Sequence, residues 1–200
     1  GEPNLYDITL SLKHNGCVVD SKTYLIGIRK IEIEHVMKAN ELGEFKVIAN
    51  NCPIMCKGSN WVPLDVLHSR DKERLGKAFD LVIDTECNIL RCWGGNTYED
   101  HDFFELCDKN GVMVWQDFAF ACCIYAEDHE MMKQYEDEAS SVVKKLRNHP
   151  SLILWAGDNE IDYYMEQQGY ASNITADTNV ISRKILPHVV RLHDPFRFYL

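Results

Sequence analysis

From residue 53 onward, short apolar runs alternate four times with segments of helical periodicity, and each run ends in polar or aromatic residues. That alternation constrains the fold more than any other feature of the chain. Strands separated by a helix-length segment pair in parallel, through right-handed crossovers. Residues 45–49, Asn50-Asn51 and residues 53–61 read as a hairpin feeding the first inner strand, and residues 88–93, 112–117 and 152–155 are the next strand-like runs. Between the first inner strand and residues 88–93, Leu75, Ala78, Phe79, Val82 and Ile83 recur at spacings of three and four, which predicts a helix over 70–86. Residues 101–109 read as a shorter helix stopped by Asn110-Gly111. Residues 128–147 read as a long helix, mostly acidic early and basic late, as the helix dipole favours. A last helix over 178–192 carries Pro187, which should kink or interrupt it. Residues 197–200 look like a fifth strand just beginning.

An open doubly wound sheet and half of a closed barrel both fit this order. No Gly-x-Gly-x-x-Gly and no P-loop follows any strand, which removes the usual nucleotide sites. Polar and aromatic residues instead gather at the C-terminal strand ends: Asn60 and Trp61, Arg91 and Trp93, Gln116 and Asp117, Asn159 and Glu160. A (β/α) barrel keeps its chemistry at that end. The fold class expected is therefore α/β, the first half of a (β/α)8 TIM barrel.

The first 36 residues have a different texture. Tyr6-Asp-Ile-Thr-Leu-Ser-Leu12 alternates apolar and polar, Asn15-Gly16 marks a hairpin turn, and a second alternating run covers 24–34. Two or three strands cannot make a sandwich alone, so residues 1–36 read as the last strands of a β-sandwich and 37–200 as the barrel segment. The start at Gly1-Glu2-Pro3-Asn4 is no signal peptide and looks like a cut into a longer chain.

Composition excludes several functions. A net charge of −10 with no Lys/Arg cluster argues against nucleic acid as a partner. No apolar run approaches the roughly 20 residues of a membrane helix. The eight cysteines lack zinc-site spacing, with no Cys-x-x-Cys, and read as buried thiols rather than a disulfide framework. Unpaired thiols lean toward a reducing, cytoplasmic compartment, with periplasm or lysosome also open. No metal site is expected. Asn173-Ile-Thr175 fits a glycosylation acceptor, a tripeptide common by chance.

The run Leu152-Ile-Leu-Trp-Ala-Gly-Asp-Asn-Glu160 delivers an amide and a carboxylate together at a strand tip. Glycoside hydrolysis needs one carboxyl group to protonate the leaving oxygen and a second to attack the sugar or activate water. Glu160 is placed to be the first, and burial beside Trp155 would keep it protonated near neutral pH. Its plainer role would be to cap the segment that follows. Asn159 is either a ligand for a sugar hydroxyl or a turn residue. Trp93 and Trp61 offer flat faces for sugar rings, though a tryptophan at such a position is more often core. Arg91 and Asp117 read as a buried pair shaping the barrel mouth, with substrate contact by Asp117 as the second possibility.

Five ordered motifs carry a resemblance. They are Ile26-Gly-Ile-Arg29; Lys57-Gly-Ser-Asn-Trp-Val-Pro63; Leu90-Arg-Cys-Trp-Gly-Gly95 with Tyr98-Glu99; Val114-Trp-Gln-Asp-Phe118; and His149-Pro-Ser-Leu-Ile-Leu-Trp-Ala-Gly-Asp-Asn-Glu160. Together they resemble the β-mannosidase branch of glycoside hydrolase family 2, over nearly the whole chain. The resemblance implies an immunoglobulin-like sandwich leading into a (β/α)8 barrel. It implies exo-acting, retaining hydrolysis of terminal β-mannosides without a cofactor. It gives the acid/base role to Glu160, sugar binding to Asn159, and a subsite wall to Trp93. The chain departs from the pattern at Asp158, where Asn is expected, and at Ala156, where Cys or Ser is frequent; the first departure bears on the choice of sugar. The family's nucleophilic glutamate ends the seventh barrel strand, beyond the fifth strand reached here. The partners implied are a carbohydrate substrate and the remainder of the same polypeptide. Two alternatives stay open: another family 2 specificity (exo-β-glucosaminidase, β-galactosidase or β-glucuronidase) and a non-catalytic carbohydrate-binding segment.

Overall fold

The computed structural model describes residues 3–37, 43–168 and 176–200. Strands β1 (Leu5–His14) and β2 (Cys17–Gly27) form an antiparallel hairpin. Its turn is Asn15-Gly16, with φ of 49° and 81°, values that these two residues adopt at little steric cost. Next come β3 (Ile31–Val36), β4 (Glu44–Ala49) and β5 (Cys52–Ile54), a second antiparallel sheet in the order β3-β4-β5. Asn50 and Asn51, at φ of 50° and 65°, make the tight turn between β4 and β5.

The alternating run over 24–34 is therefore two strands, not one. Gly27 ends β2 so close to Pro150 that an added Cβ would lie 2.7 Å from the proline Cβ. Two residues on, Arg29 donates from Nε to the Pro150 carbonyl at 2.9 Å and from Nη2 to the Leu152 carbonyl at 3.1 Å. This tertiary anchor interrupts an alternation that sequence alone reads as continuous. Residue 36 ends β3, which is hydrogen-bonded to β4 throughout its length, so the three-stranded sheet spans the position where the sequence changes texture.

Strands β6 (Gly58–Trp61), β7 (Ile89–Cys92), β8 (Met113–Asp117), β9 (Leu152–Ala156) and β10 (Phe198–Tyr199) form one parallel sheet in chain order. The crossovers contain α1 (Asp71–Asp84), α2 (His101–Asn110), α3 (His129–Leu146), α4 (Ile161–Gln168) and α5 (Leu186–His193). Local sequence sets several ends. Asp128 caps α3 by accepting from the Glu130 and Met131 amides, both at 3.1 Å. Gly111, at φ 68°, terminates α2 in the left-handed conformation. Pro187 sits in the first turn of α5, directly after a π-helical stretch over Ile181–Ile185, so the last helical region is interrupted there.

The parallel sheet has two buried faces. Leu90, Cys92, Val114, Leu152 and Trp155 face the helices, against Phe79, Val82, Phe103, Val143 and Val189. Ile153, Leu154 and Ala156 pack with Ile89, Met113, Trp115 and Phe198, and on that side Ile31, Ile33 and Val47 of the three-stranded sheet close over them. Helices on one face, with strands taken in order and all parallel, are the first part of an α/β barrel.

The thiols divide differently from expectation. Cys92 and Cys107 are buried in the core, where burial pushes both well above the ordinary thiol range. Cys17, Cys52, Cys56 and Cys123 are exposed instead, because they sit on hairpin strands, strand-end segments and a loop rather than facing the helix layer. Among the described residues no helix is long and apolar enough to cross a membrane, and no three His, Cys, Asp or Glu side chains gather as a metal site. Asn173 lies outside the described residues.

Candidate active site

Asp117 ends β8 and anchors the site. It is 1% exposed, and its carboxylate accepts from four donors. Arg91, the third residue of β7, reaches Oδ1 with Nε at 3.2 Å and Oδ2 with Nη2 at 2.6 Å. The Gly94 amide adds 3.0 Å to Oδ2, and the Trp115 indole nitrogen 2.9 Å to Oδ1. Burial pushes this carboxyl above its ordinary value, and the Arg91 charge and the hydrogen bonds pull it back. The expected Arg91–Asp117 pair is thus present. With both oxygens engaged and the side chain enclosed, Asp117 is the buried partner of Arg91 at the mouth.

The pair extends toward the tip of β9. Arg91 Nη2 also donates to Asn159 Oδ1 at 3.0 Å, and Nη1 to Asn60 Oδ1 at 3.3 Å. Two backbone hydrogen bonds clamp Asn159 itself: its amide donates to the Phe120 carbonyl, and its carbonyl accepts from the Cys122 amide, both at 2.9 Å. Gly94 makes this close approach possible. A Cβ there would lie 2.6 Å from the Phe120 carbonyl oxygen, 2.9 Å from that of Phe118 and 3.3 Å from the Asn159 nitrogen.

Glu160 follows with φ of 63°, an uncommon conformation for a residue with a side chain. Its carboxylate is exposed, with Oε2 3.5 Å from the Cys122 thiol. The expected burial beside Trp155 is not found. Trp155 points to the helix layer, stacks on Phe118 with ring centroids 5.2 Å apart, and donates its indole N–H to Asp194 at 2.9 Å. Trp155 belongs to the strand's outer face, whereas Glu160 lies beyond the strand end, so the two side chains do not share a pocket. The following helix is capped by Asp158, not Glu160: Asp158 Oδ1 accepts from the Ile161 amide at 3.1 Å. Its other oxygen accepts from Ser182 Oγ and, at 3.3 Å, from Asn179 Nδ2.

Of the two tryptophans, Trp93 is half-buried, and its ring lies so close to Gly95 that a Cβ there would come within 2.1 Å of it. Trp61 is 5% exposed, packed against Phe103 with centroids 5.0 Å apart, and its indole donates to Glu99 at 2.9 Å. Its side chain faces the helix layer, so Trp61 is a core residue and offers no face to a sugar. Sequence reasoning missed Cys122 and Gly94. The adjacent Gly94-Gly95 pair was the signal for a tight backbone approach; Cys122 stands 37 residues from Asn159, and nothing local points to their contact.

Fold and site together define the first portion of a (β/α) barrel with its reactive face at the strand C-termini. The family model described as "Glycosyl hydrolases family 2, TIM barrel domain" matches residues 41–184, and the chain belongs to that family. It is 38% identical over its whole length to β-mannosidase B of Aspergillus terreus and 33% identical to β-mannosidase of Capra hircus. It covers 25% and 24% of those proteins, so the chain spans about a quarter of the relatives it matches. Among solved structures, β-D-mannosidase from Dictyoglomus thermophilum superposes with a TM-score of 0.86 at 37% identity, covering all of this chain and 25% of that one. A Bacteroides uniformis β-glucuronidase shares the fold, with a TM-score of 0.77 at 20% identity.

Proposed function

We propose that this chain supplies the first half of the catalytic barrel of a retaining, exo-acting β-mannosidase, with Glu160 as its acid/base. The observation that carries the reading is similarity over the whole chain to proteins named β-mannosidase, at 33% and 38% identity. In this mechanism Glu160 gives its proton to the glycosidic oxygen as the bond to the anomeric carbon breaks. A second carboxylate, contributed by a later strand of the same polypeptide, attacks that carbon and forms a glycosyl-enzyme. Glu160 then takes a proton from the water that releases the sugar. Two carboxyl groups about 5–5.5 Å apart perform this chemistry.

Around Glu160 each neighbour has a separate task. Asn159, with its carbonyl oxygen held by Arg91, keeps an amide N–H for a sugar hydroxyl next to the scissile bond. Trp93 presents a ring face to the sugar. Asp117 holds Arg91, and Trp61 holds the layer behind. No cofactor takes part.

The test uses the full-length polypeptide on a panel of nitrophenyl β-mannoside, β-glucosaminide, β-galactoside and β-glucuronide. The β-mannoside should give the highest kcat/KM by a wide margin. A preference for any other sugar would replace the specificity while leaving the family intact. Saturable mannoside binding with no turnover on any of the four would make the protein a binding module.

A further inference from the structure

The hydrogen bonds that begin at Asp117 do not end at Asn159. Asn159 Nδ2 donates to Cys122 Sγ at 3.4 Å, and that sulfur is 3.5 Å from Glu160 Oε2, within reach for the S–H to donate. A continuous path thus runs from the buried Asp117 carboxylate through Arg91, Asn159 and Cys122 to Glu160. We propose that Cys122 is a positioning residue for the acid/base: its thiol holds the Glu160 carboxyl group at the barrel mouth and fixes the Asn159 amide. The proposal rests on the acid/base reading of Glu160.

The loop after β8 is built to hold the thiol in place. Ala121 and Asn159 form a parallel bridge, so the β8 and β9 segments keep pairing beyond the ends of their strands. The Tyr125 hydroxyl accepts from the Ala121 amide at 2.8 Å and donates to its carbonyl at 3.3 Å, tying down the residue before the cysteine. Cys122 itself sits at φ 51°. Sulfur acts in both directions here, as acceptor from one Asn159 N–H and as donor to Glu160. With Asn159 Oδ1 on Arg91, the amide cannot flip without losing both contacts, and one N–H is left for substrate.

A thiol suits this position because it is a weak donor. A hydrogen bond to a carboxylate favours its charged form, whereas a general acid has to hold its proton. A hydroxyl at the same place would orient Glu160 as well and favour ionisation more strongly. An apolar side chain would do neither. The titratable and charged groups on the surrounding elements are Cys123 on the same loop, Asp158 and Asp162 flanking Glu160, and Arg91 and Asp117 behind Asn159. Asp158 is engaged by Ser182 and Asn179, Asp162 by Arg183, and Arg91 and Asp117 by each other, so Cys122 is the contact to exchange.

The test compares Cys122→Ala, Cys122→Ser and Glu160→Gln in the full-length polypeptide, by kcat/KM against pH on an unactivated β-mannoside. Cys122→Ala should lose roughly fivefold, the worth of one modest hydrogen bond, with its alkaline limb moved to higher pH. Cys122→Ser should keep most of the rate at the optimum, with the alkaline limb moved to lower pH. A merely structural cysteine would not move the two limbs in opposite directions. Glu160→Gln with a lost rate, but both Cys122 variants with the wild-type profile, overturns the positioning role alone. Wild-type turnover by Glu160→Gln overturns the acid/base reading, and this proposal with it. Should Cys122→Ala fail to fold, the direction of the Cys122→Ser limb decides the question.

Discussion

Replacing Asp117 with alanine should damage stability and activity together. The carboxylate is 1% exposed and accepts from Arg91 Nε and Nη2, the Gly94 amide and the Trp115 indole. Removing it leaves four donors without an acceptor. Breaking one side of a buried ion pair costs about 3–5 kcal/mol. The Arg91 side chain is 28% exposed, so water reaches it and the lower end, about 3 kcal/mol, applies. For a domain of about 150–250 residues each kcal/mol lowers Tm by about 2–4 °C; the complete barrel is larger, so the shift per kcal/mol is smaller and the fall expected in the full-length protein is roughly 3–6 °C. Once released, Arg91 no longer fixes Asn159 Oδ1, which it now holds at 3.0 Å. Turnover at a temperature where the variant is still folded should therefore fall too. The assay is calorimetry of the full-length protein alongside kcat/KM on a β-mannoside. A Tm within about 1 °C of wild type would refute the argument that this carboxylate is the buried anchor of the mouth.

Two further outcomes follow from particular contacts. Gly94→Ala should destabilise by about 2–3 kcal/mol in thermal unfolding, because its Cβ meets two backbone carbonyls that cannot move aside. Gly76→Ala, in the interior of α1 with nothing within 4 Å of the added Cβ, should instead stabilise by about 0.5–1 kcal/mol. Asp162→Asn tests acid stability. The hydrogen bonds from Arg183 hold the Asp162 carboxyl below its ordinary value, so its contribution is present above the unfolded-state pKa of about 3.9 and is lost as pH falls through the folded value. Both partners are partly solvated, so the variant should be about 0.5 kcal/mol less stable near pH 7, and should converge on wild type as pH falls through the folded value. A difference that persists in acid would show that the carboxylate charge is not the cause.

Much of the fold is legible because its signals are local. Asn15-Gly16 and Asn110-Gly111 mark their turn and stop by conformational freedom, Asp128 marks the start of α3, and the strand–helix alternation fixes the parallel order. What could not be read depends on distant residues. The break between β2 and β3 comes from Arg29 reaching the Pro150 and Leu152 carbonyls more than 120 residues away. Helix α4 escapes notice because it is eight residues long and its buried contacts reduce to Ile161 and Met165, one turn apart. For the site, the strand-end positions of Arg91, Asp117, Asn159 and Glu160 were visible in the pattern. The facing of Trp61 was not, because the last residue of a strand points inward or outward by register. The link from Asn159 through Cys122 to Glu160 was equally hidden, since it joins two loops that are adjacent only once β8 and β9 pair.

The acid/base role of Glu160 can be separated from binding by the choice of leaving group. Glu160→Gln, made in the full-length polypeptide, is mixed with a dinitrophenyl β-mannoside, whose leaving group departs without a proton, and the protein mass is followed in time. If Glu160 is the acid/base, one equivalent of dinitrophenol is released rapidly and a protein carrying one hexose accumulates, while turnover of unactivated mannosides is lost. Wild-type turnover on unactivated mannosides, or no glycosylated protein despite a folded variant, would contradict it.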